Sequence, residues 1–163
     1  YTACAQGGYC TLTPGDVTDN SYVYNWICEG EREHGWEVEE VDYDGRNATD
    51  LAIRMNEDRN REDFCVEVSQ TCAGQNLAVK IFRDLLLQDR VVIEESPLVL
   101  WCLQNAIEIQ DNYGNIKLSK RHKDDTERID PVAAMMNALA RVLVKRTAGS
   151  DINEHILSED WGI

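Results

Sequence analysis

Residues 36–68, WEVEEVDYDGRNATDLAIRMNEDRNREDFCVEV, change hydrophobic period twice. Trp36 to Tyr43 alternates as a strand, with Trp36, Val38, Glu40 and Asp42 on one face and Glu37, Glu39, Val41 and Tyr43 on the other. Asp44-Gly45 closes that strand, and Asn47 with Asp50 resembles a capped helix start leading into Leu51, Ile53 and Met55. Phe64 to Val68 is again a strand. Strand, a helix of about a dozen residues and strand in this order describe a parallel βαβ connection, and with a third strand further along they place the chain in the α/β class.

Downstream, a helix from about Asn76 to Gln88 carries an apolar stripe of Leu77, Ile81 and Leu85 beside Ala78, Phe82 and Leu86. Val91 to Ile93 reads as a third short strand, and a helix from Pro97 to Asn105 follows with proline in its first turn. Ile107 and Ile109 alternate with polar neighbours, as do Ile116 and Leu118, and Asp111 to Asn115 supplies the turn of a hairpin. The last long helix runs from Pro131 to about Lys145, with Val132, Met135, Leu139, Val142 and Leu143 inward and Lys145 and Arg146 suited to its C-terminal dipole. Upstream, Tyr9 to Leu12 alternates weakly as a strand. Thr13-Pro14-Gly15 turns it into a helix that opens near Thr18 or Asp19, faces Val23, Trp26 and Ile27 inward, and stops at Gly35. Residues 1–149 form one domain on this reading, and 150–163 an acidic tail.

A chain of 163 residues is long enough for one core and short for two. Its 30 acidic side chains against 16 basic ones give a net charge of −14, which argues against a general polyanion binder. No apolar stretch approaches the roughly 20 residues that cross a bilayer, and no basic start precedes an apolar run, so neither a membrane span nor secretion is expected. The first residue is Tyr1 rather than Met, the mark of a processed product or a piece of something longer. Six cysteines form no Cys-x-x-Cys pair and read as reduced. His34, His122 and His155 are far apart in sequence and make a zinc site an unfavourable reading. Gly7-Gly8 is followed by Tyr9-Cys10 and no Gly-x-x-x-x-Gly-Lys-Ser/Thr run occurs, so nucleotide hydrolysis is not encoded.

Two-metal phosphodiester cleavage needs carboxylates from different segments converging on Mg²⁺ or Mn²⁺ ions about 4 Å apart. Asp44 stands at the C-terminal end of a strand, where α/β sheets present their ligands, and Asp130 stands at the mouth of the final helix. If that helix packs beside the strand end, the two carboxylates meet. Each also has a plain structural account, Asp44 as a turn residue before Gly45 and Asp130 as an N-cap before Pro131. Asp42 shares a strand face with Asp44 and either assists it or forms a solvated acidic edge. Glu94 and Glu95 are weaker ligand candidates. Lys120, Arg121 and Lys123 belong to the one locally basic segment, residues 117–128, and serve either as phosphate contacts or as a solvated loop guarding an edge hairpin. Asn105, four residues after Trp101 on one helix face, either ties the hairpin to the helix or holds an active-site element. Gln70, after the second strand, reads more readily as a loop amide than as a ligand.

YCTLTPGDVTD (9–19), VDYDGRNATDLA (41–52), SPLVLWCLQNAIEIQDNYGNIKLSK (96–120) and above all RIDPVAAMMNALARVL (128–143) resemble the C-terminal nuclease domain of the large terminase subunit of tailed bacteriophages. Order and spacing agree from about Gln6 to Leu143. The resemblance implies a ribonuclease H-like mixed sheet flanked by helices that cuts concatemeric double-stranded viral DNA using Mg²⁺ or Mn²⁺ held by acidic residues. It implies as partners an ATPase motor domain, a small terminase subunit and the portal of the empty capsid, and as location the host bacterial cytoplasm. By motif position Asp44 and Asp130 correspond to metal ligands, and Asn105 and Lys120 to recurrent positions near them. Family members carry a further catalytic aspartate on an upstream strand that this sequence does not contain, and a position often held by histidine reads Glu94-Glu95-Ser96. The expectation is a domain lacking its first strand or strands that cleaves DNA poorly by itself. The reading from a different class is a non-catalytic docking module whose acidic surface and tail bind a portal or other assembly protein.

Overall fold

A computed structural model describes residues 1–15, 19–46, 48–93, 95–122 and 127–147. The chain is mixed α/β, with six helices and two small sheets among these residues. Strand β1 (Val41–Tyr43) pairs in parallel with β2 (Cys65–Glu67), Asp42 opposite Val66, and the crossover between them is a helix, Thr49–Arg59. That helix ends where Asn60 turns left-handed at φ 49, and the side chain of Asn56 then pins the return by donating to Glu62 O and accepting from Cys65 N. The βαβ unit read from residues 36–68 is therefore present, with shorter strands. Asn47, read as part of the helix cap, lies outside the described residues.

In chain order the helices are α1 (Thr2–Gln6), α2 (Asn20–His34), α3 (Thr49–Arg59), α4 (Cys72–Leu87), α5 (Pro97–Asn105) and α6 (Asp130–Thr147). Side-chain caps set three of their starts. Asp19 accepts from Ser21 N at the start of α2, Thr71 from Gly74 N at α4 and Ser96 from Val99 N at α5. The hairpin pairs β3 (Ala106–Gln110) with β4 (Ile116–Lys120), and Asp111 Oδ1 accepts from the amides of Tyr113 and Asn115 in its turn.

Three expected strand segments differ. Tyr9 to Leu12 is irregular, and Cys10 packs with Cys4 and Trp101 against Leu98, Cys102 and Val132. Trp36 does not open β1. Its ring lies on Gly30, where a Cβ would meet Trp36 Cε3 at 2.0 Å, and it meets Trp26 edge-on with ring centroids 4.8 Å apart. Val91 to Ile93 is not a strand; Val92 is 88% exposed. Apolar alternation is only a licence for β structure, and a strand forms where a neighbour supplies the ladder hydrogen bonds.

Helix faces differ as well. On α2 the buried residues are Ile27 and Gly30, while Trp26 is 61% exposed and Val23 faces solvent. On α4 the buried row is Gln75, Ala78 and Val79, and Leu77 is 53% exposed. On α6, Val132, Met136 and Leu143 are buried and Val142 is exposed. For α4 and α6 the reason is that α6 packs against α4, α5 and β1 at once, whereas α2 packs against α3. Val132 joins the cluster under α5 with Leu98 and Cys102, and Met136 joins Val79 and Ile116 under α4. A third cluster, Ile27, Leu51, Ala52, Met55, Phe64 and Cys65, fills the space under α3. No helix among the described residues is long and apolar enough to cross a membrane.

Candidate functional site

Asp44 follows β1 directly and is exposed, its Oδ1 accepting from Arg46 N at 3.2 Å in the turn that Gly45 closes. It borders a pocket of about 210 Å³ whose other walls include Gln70, Gln75, Lys117, Ile129, Ala133 and Met136. The strand end and the first turn of α6 thus face one space. Asp130 is the first residue of α6, flanking Ile129, and its Oδ2 accepts from Tyr1 Oη at 2.9 Å. Tyr1 also meets Trp101 edge-on, and burial together with the Asp130 carboxylate pushes its phenol well above the ordinary range.

Asn105 is buried and donates to Arg128 O at 3.3 Å, so it ties the end of α5 to the segment entering α6. Arg121 closes the same corner, its backbone N–H on Asn105 O and its guanidinium on Gln104 O. Lys120 ends β4 opposite Ala106 and is half-buried. Lys123 and Glu94 lie outside the described residues, as does the tail 150–163.

Asp42 faces a different pocket, shared with Glu40, Ala138, Arg141 and Lys145. Arg141 grips Glu40 with two bonds, Nε to Oε1 at 2.8 Å and Nη2 to Oε2 at 3.2 Å, and Lys145 Nζ lies 3.1 Å from Oε2. Those bonds hold Glu40 down at about 2. Asp42 is pushed up to about 7 by burial and then by the hydrogen bond and charge of Glu40; its Oδ1 is buried without a hydrogen bond, 3.8 Å from Arg141 Nε.

Residues not singled out from the sequence complete the picture. Asn137, buried in α6, accepts at Oδ1 from Gln70 Nε2 at 3.0 Å and from Gln75 Nε2 at 3.1 Å. A polar residue inside an apolar helical stripe is the signal for Gln75 and for Asn137 alike. Glu67, at the end of β2, shares a second pocket with Asp44, and its carboxylate lies over Gly45 so closely that a Cβ there would meet its Cδ at 2.4 Å. Its signal was its place at a strand's C-terminal end.

No group of three or more His, Cys, Asp or Glu side chains among the described residues is arranged to hold a metal ion. Mg²⁺ takes six oxygen ligands but draws as few as one or two of them from protein carboxylates, the rest from water and phosphate, so Asp44 with Glu67 beside it is a partial donor set for such an ion.

A family model described as the endonuclease domain of the terminase large subunit matches residues 9–146. Among solved structures, the large terminase of HK97 bacteriophage is similar to this chain with a TM-score of 0.71 and 26% sequence identity, covering 86% of this chain and 28% of that one. The chain therefore spans little more than a quarter of that terminase's length. No curated protein sequence matches it.

Proposed function

Because the chain belongs to the terminase large-subunit endonuclease domain family, we propose that it is the DNA-cutting domain of a viral packaging machine. Its substrate is concatemeric double-stranded DNA, cut with the help of Mg²⁺ or Mn²⁺. Asp44 and Asp130 are the acidic residues assigned to the metal, with Asn105 in support, and Lys120, Arg121 and Lys123 are assigned to DNA phosphates; Asp42, the other acid offered by the sequence, faces the Arg141 pocket instead. The observation that carries this reading is a pocket bordered by Asp44 together with Ile129 and Ala133, the residues on either side of Asp130 at the start of α6; the Asp130 carboxylate itself is not among its walls and is turned to Tyr1. Such a metal supplies Lewis-acid stabilisation of the charge that grows on the phosphate. This chain's own residues position the strand end and the helix mouth around the scissile group, and Asn105 fixes the approach to α6. The ATPase domain, the small subunit and the portal are the partners of this reading, and the infected bacterial cytoplasm is its setting.

The test is plasmid nicking with Mn²⁺ and with Mg²⁺, run on this chain and on the longest protein that contains it. Asp44→Asn and Asp130→Asn abolish nicking while leaving the fold intact. Wild-type cleavage by either variant rejects the assignment.

A second reading is a non-catalytic docking module that binds the portal or another packaging protein. It is favoured by the lack of a three-ligand cluster among the described residues on a chain of net charge −14. Co-sedimentation with portal that disappears on deleting residues 150–163 supports it, and indifference to that deletion removes it.

A further inference from the structure

We propose that Lys117 is the residue that holds a DNA phosphate in the Asp44 pocket, with Gln70, Gln75 and Asn137 as the frame that positions it. The inference rests on the endonuclease reading and names the contact that reading leaves open at its centre.

Lys117 lies on β4 and Lys120 three residues later, so the two side chains leave opposite faces of the strand and cannot serve one site in the same way. Lys117 borders the Asp44 pocket. Its Nζ donates to the backbone O of Gln70 at 2.9 Å, a bond that reaches from the hairpin to the loop after β2. One of its three donors is used there, and no carboxylate among the described residues pairs with it. Arg59, Arg83, Arg141 and Lys145 are by contrast all in ion pairs. A half-buried ammonium without a carboxylate partner, in a chain this acidic, faces a pocket suited to an anion.

The frame is specific. Gln75 is 4% exposed and donates Nε2 to Ser69 O and Asn137 Oδ1, while the same Asn137 oxygen receives Nε2 of Gln70. Asn137 therefore fixes the Gln70 side chain, and the backbone of Gln70 in turn anchors Lys117. Gln75 Oε1 is buried with no hydrogen-bond partner among the described residues. Arg46 adds a second cation at the rim. A phosphodiester beside Asp44 and Glu67 would be repelled by those carboxylates alone, and Lys117 with Arg46 offsets their charge.

The experiment measures binding of a short fluorescein-labelled DNA duplex by anisotropy, in EDTA and over a salt series, for the wild-type chain and its variants. Lys117→Met weakens binding about three- to tenfold at low salt and lowers the slope of log K on log salt by about 0.9, the release of one phosphate contact. Lys117→Arg keeps affinity and slope, and serves with Lys117→Gln as a check on folding. Lys120→Met changes affinity less than Lys117→Met. Wild-type affinity and slope in Lys117→Met, or no measurable binding by the wild-type chain, overturns the proposal. Asp44→Asn separates the two ideas: it retains or tightens binding while losing cleavage. Undiminished cleavage by Asp44→Asn refutes the endonuclease assignment without touching the Lys117 result.

Discussion

The seam between β1 and α6 has two ends with similar ingredients and opposite states. At one end Glu40 and Asp42 meet Arg141 and Lys145, and the cations are bound to Glu40. At the other, Asp44 stands exposed beside Lys117, whose hydrogen bond runs to a backbone carbonyl. Helix α6 runs opposite to β1, so its first turn reaches Asp44 and its later turns reach Glu40. The count of acids along the strand does not say where chemistry can happen. What matters is whether the facing helix turn brings a cation that neutralises the acid or a small residue that leaves it open. Arg141 does the first and Ala133 the second.

The comparison can be broken at either end. The largest expected effect is functional: Asp44→Asn lowers DNA nicking by on the order of 100-fold or more in the Mn²⁺ assay, since a metal centre contributes several kcal/mol. Because Asp44 is exposed, the urea midpoint stays within error of wild type. Arg141→Met does the reverse. It leaves the buried Glu40 carboxylate with Lys145 alone and lowers stability by about 2–3 kcal/mol in urea unfolding, with DNA binding unchanged.

Asn137→Ala removes the shared acceptor of two glutamine amides and costs about 1–3 kcal/mol. It also loosens the Lys117 pocket, so part of the DNA affinity goes with it. Asn137→Leu, which fills the space without restoring the acceptor, separates packing from positioning.

The smallest effect is a pH signature. Asp42 rises to about 7 in the folded chain from an ordinary carboxyl value of 3.8, so the folded state binds its proton more tightly than the unfolded state does. Stability contributed by this group is present below about pH 4 and is lost as pH climbs towards 7. Glu40 has the opposite sign: its contribution is present above about 4.5 and is lost as pH falls towards 2. Asp42→Asn therefore stabilises the chain at pH 8 by about 1 kcal/mol, after allowance for partial solvation, and the gain vanishes near pH 4. Urea titrations of the two proteins at both pH values check this, and an equal difference at both contradicts it.

Much of the backbone was legible because its signals are local. The βαβ unit, the Pro97 helix, the hairpin at Asp111–Asn115 and the final helix each carry their own caps, turns or periodicity within a few residues. Val91–Ile93 was not legible, because a strand is a relation between two segments and its partner is not written into either. Helix faces were partly legible. Periodicity located the stripe on α4, yet Leu77 turned outward and Gln75 inward, since α6 brings Asn137 to receive a glutamine amide there. For the site, Asp44 was visible as an acid at a strand end. Lys117 and Lys120 were indistinguishable until the strand was assigned its neighbours.

The amino-acid sequence by itself determined where the α3, α5 and α6 helices and the hairpin lie, the order βαβ then hairpin then helix, and the presence of acids at a strand end and a helix mouth. Those features are governed by backbone sterics, capping and period, all of which act over a few residues. Only the tertiary structure decided which carboxylates are neutralised and which lysine faces the pocket. Side-chain environments depend on what a different segment brings into contact, and α6 carries both the guanidinium that quenches one end of β1 and the small side chain that leaves the other end open.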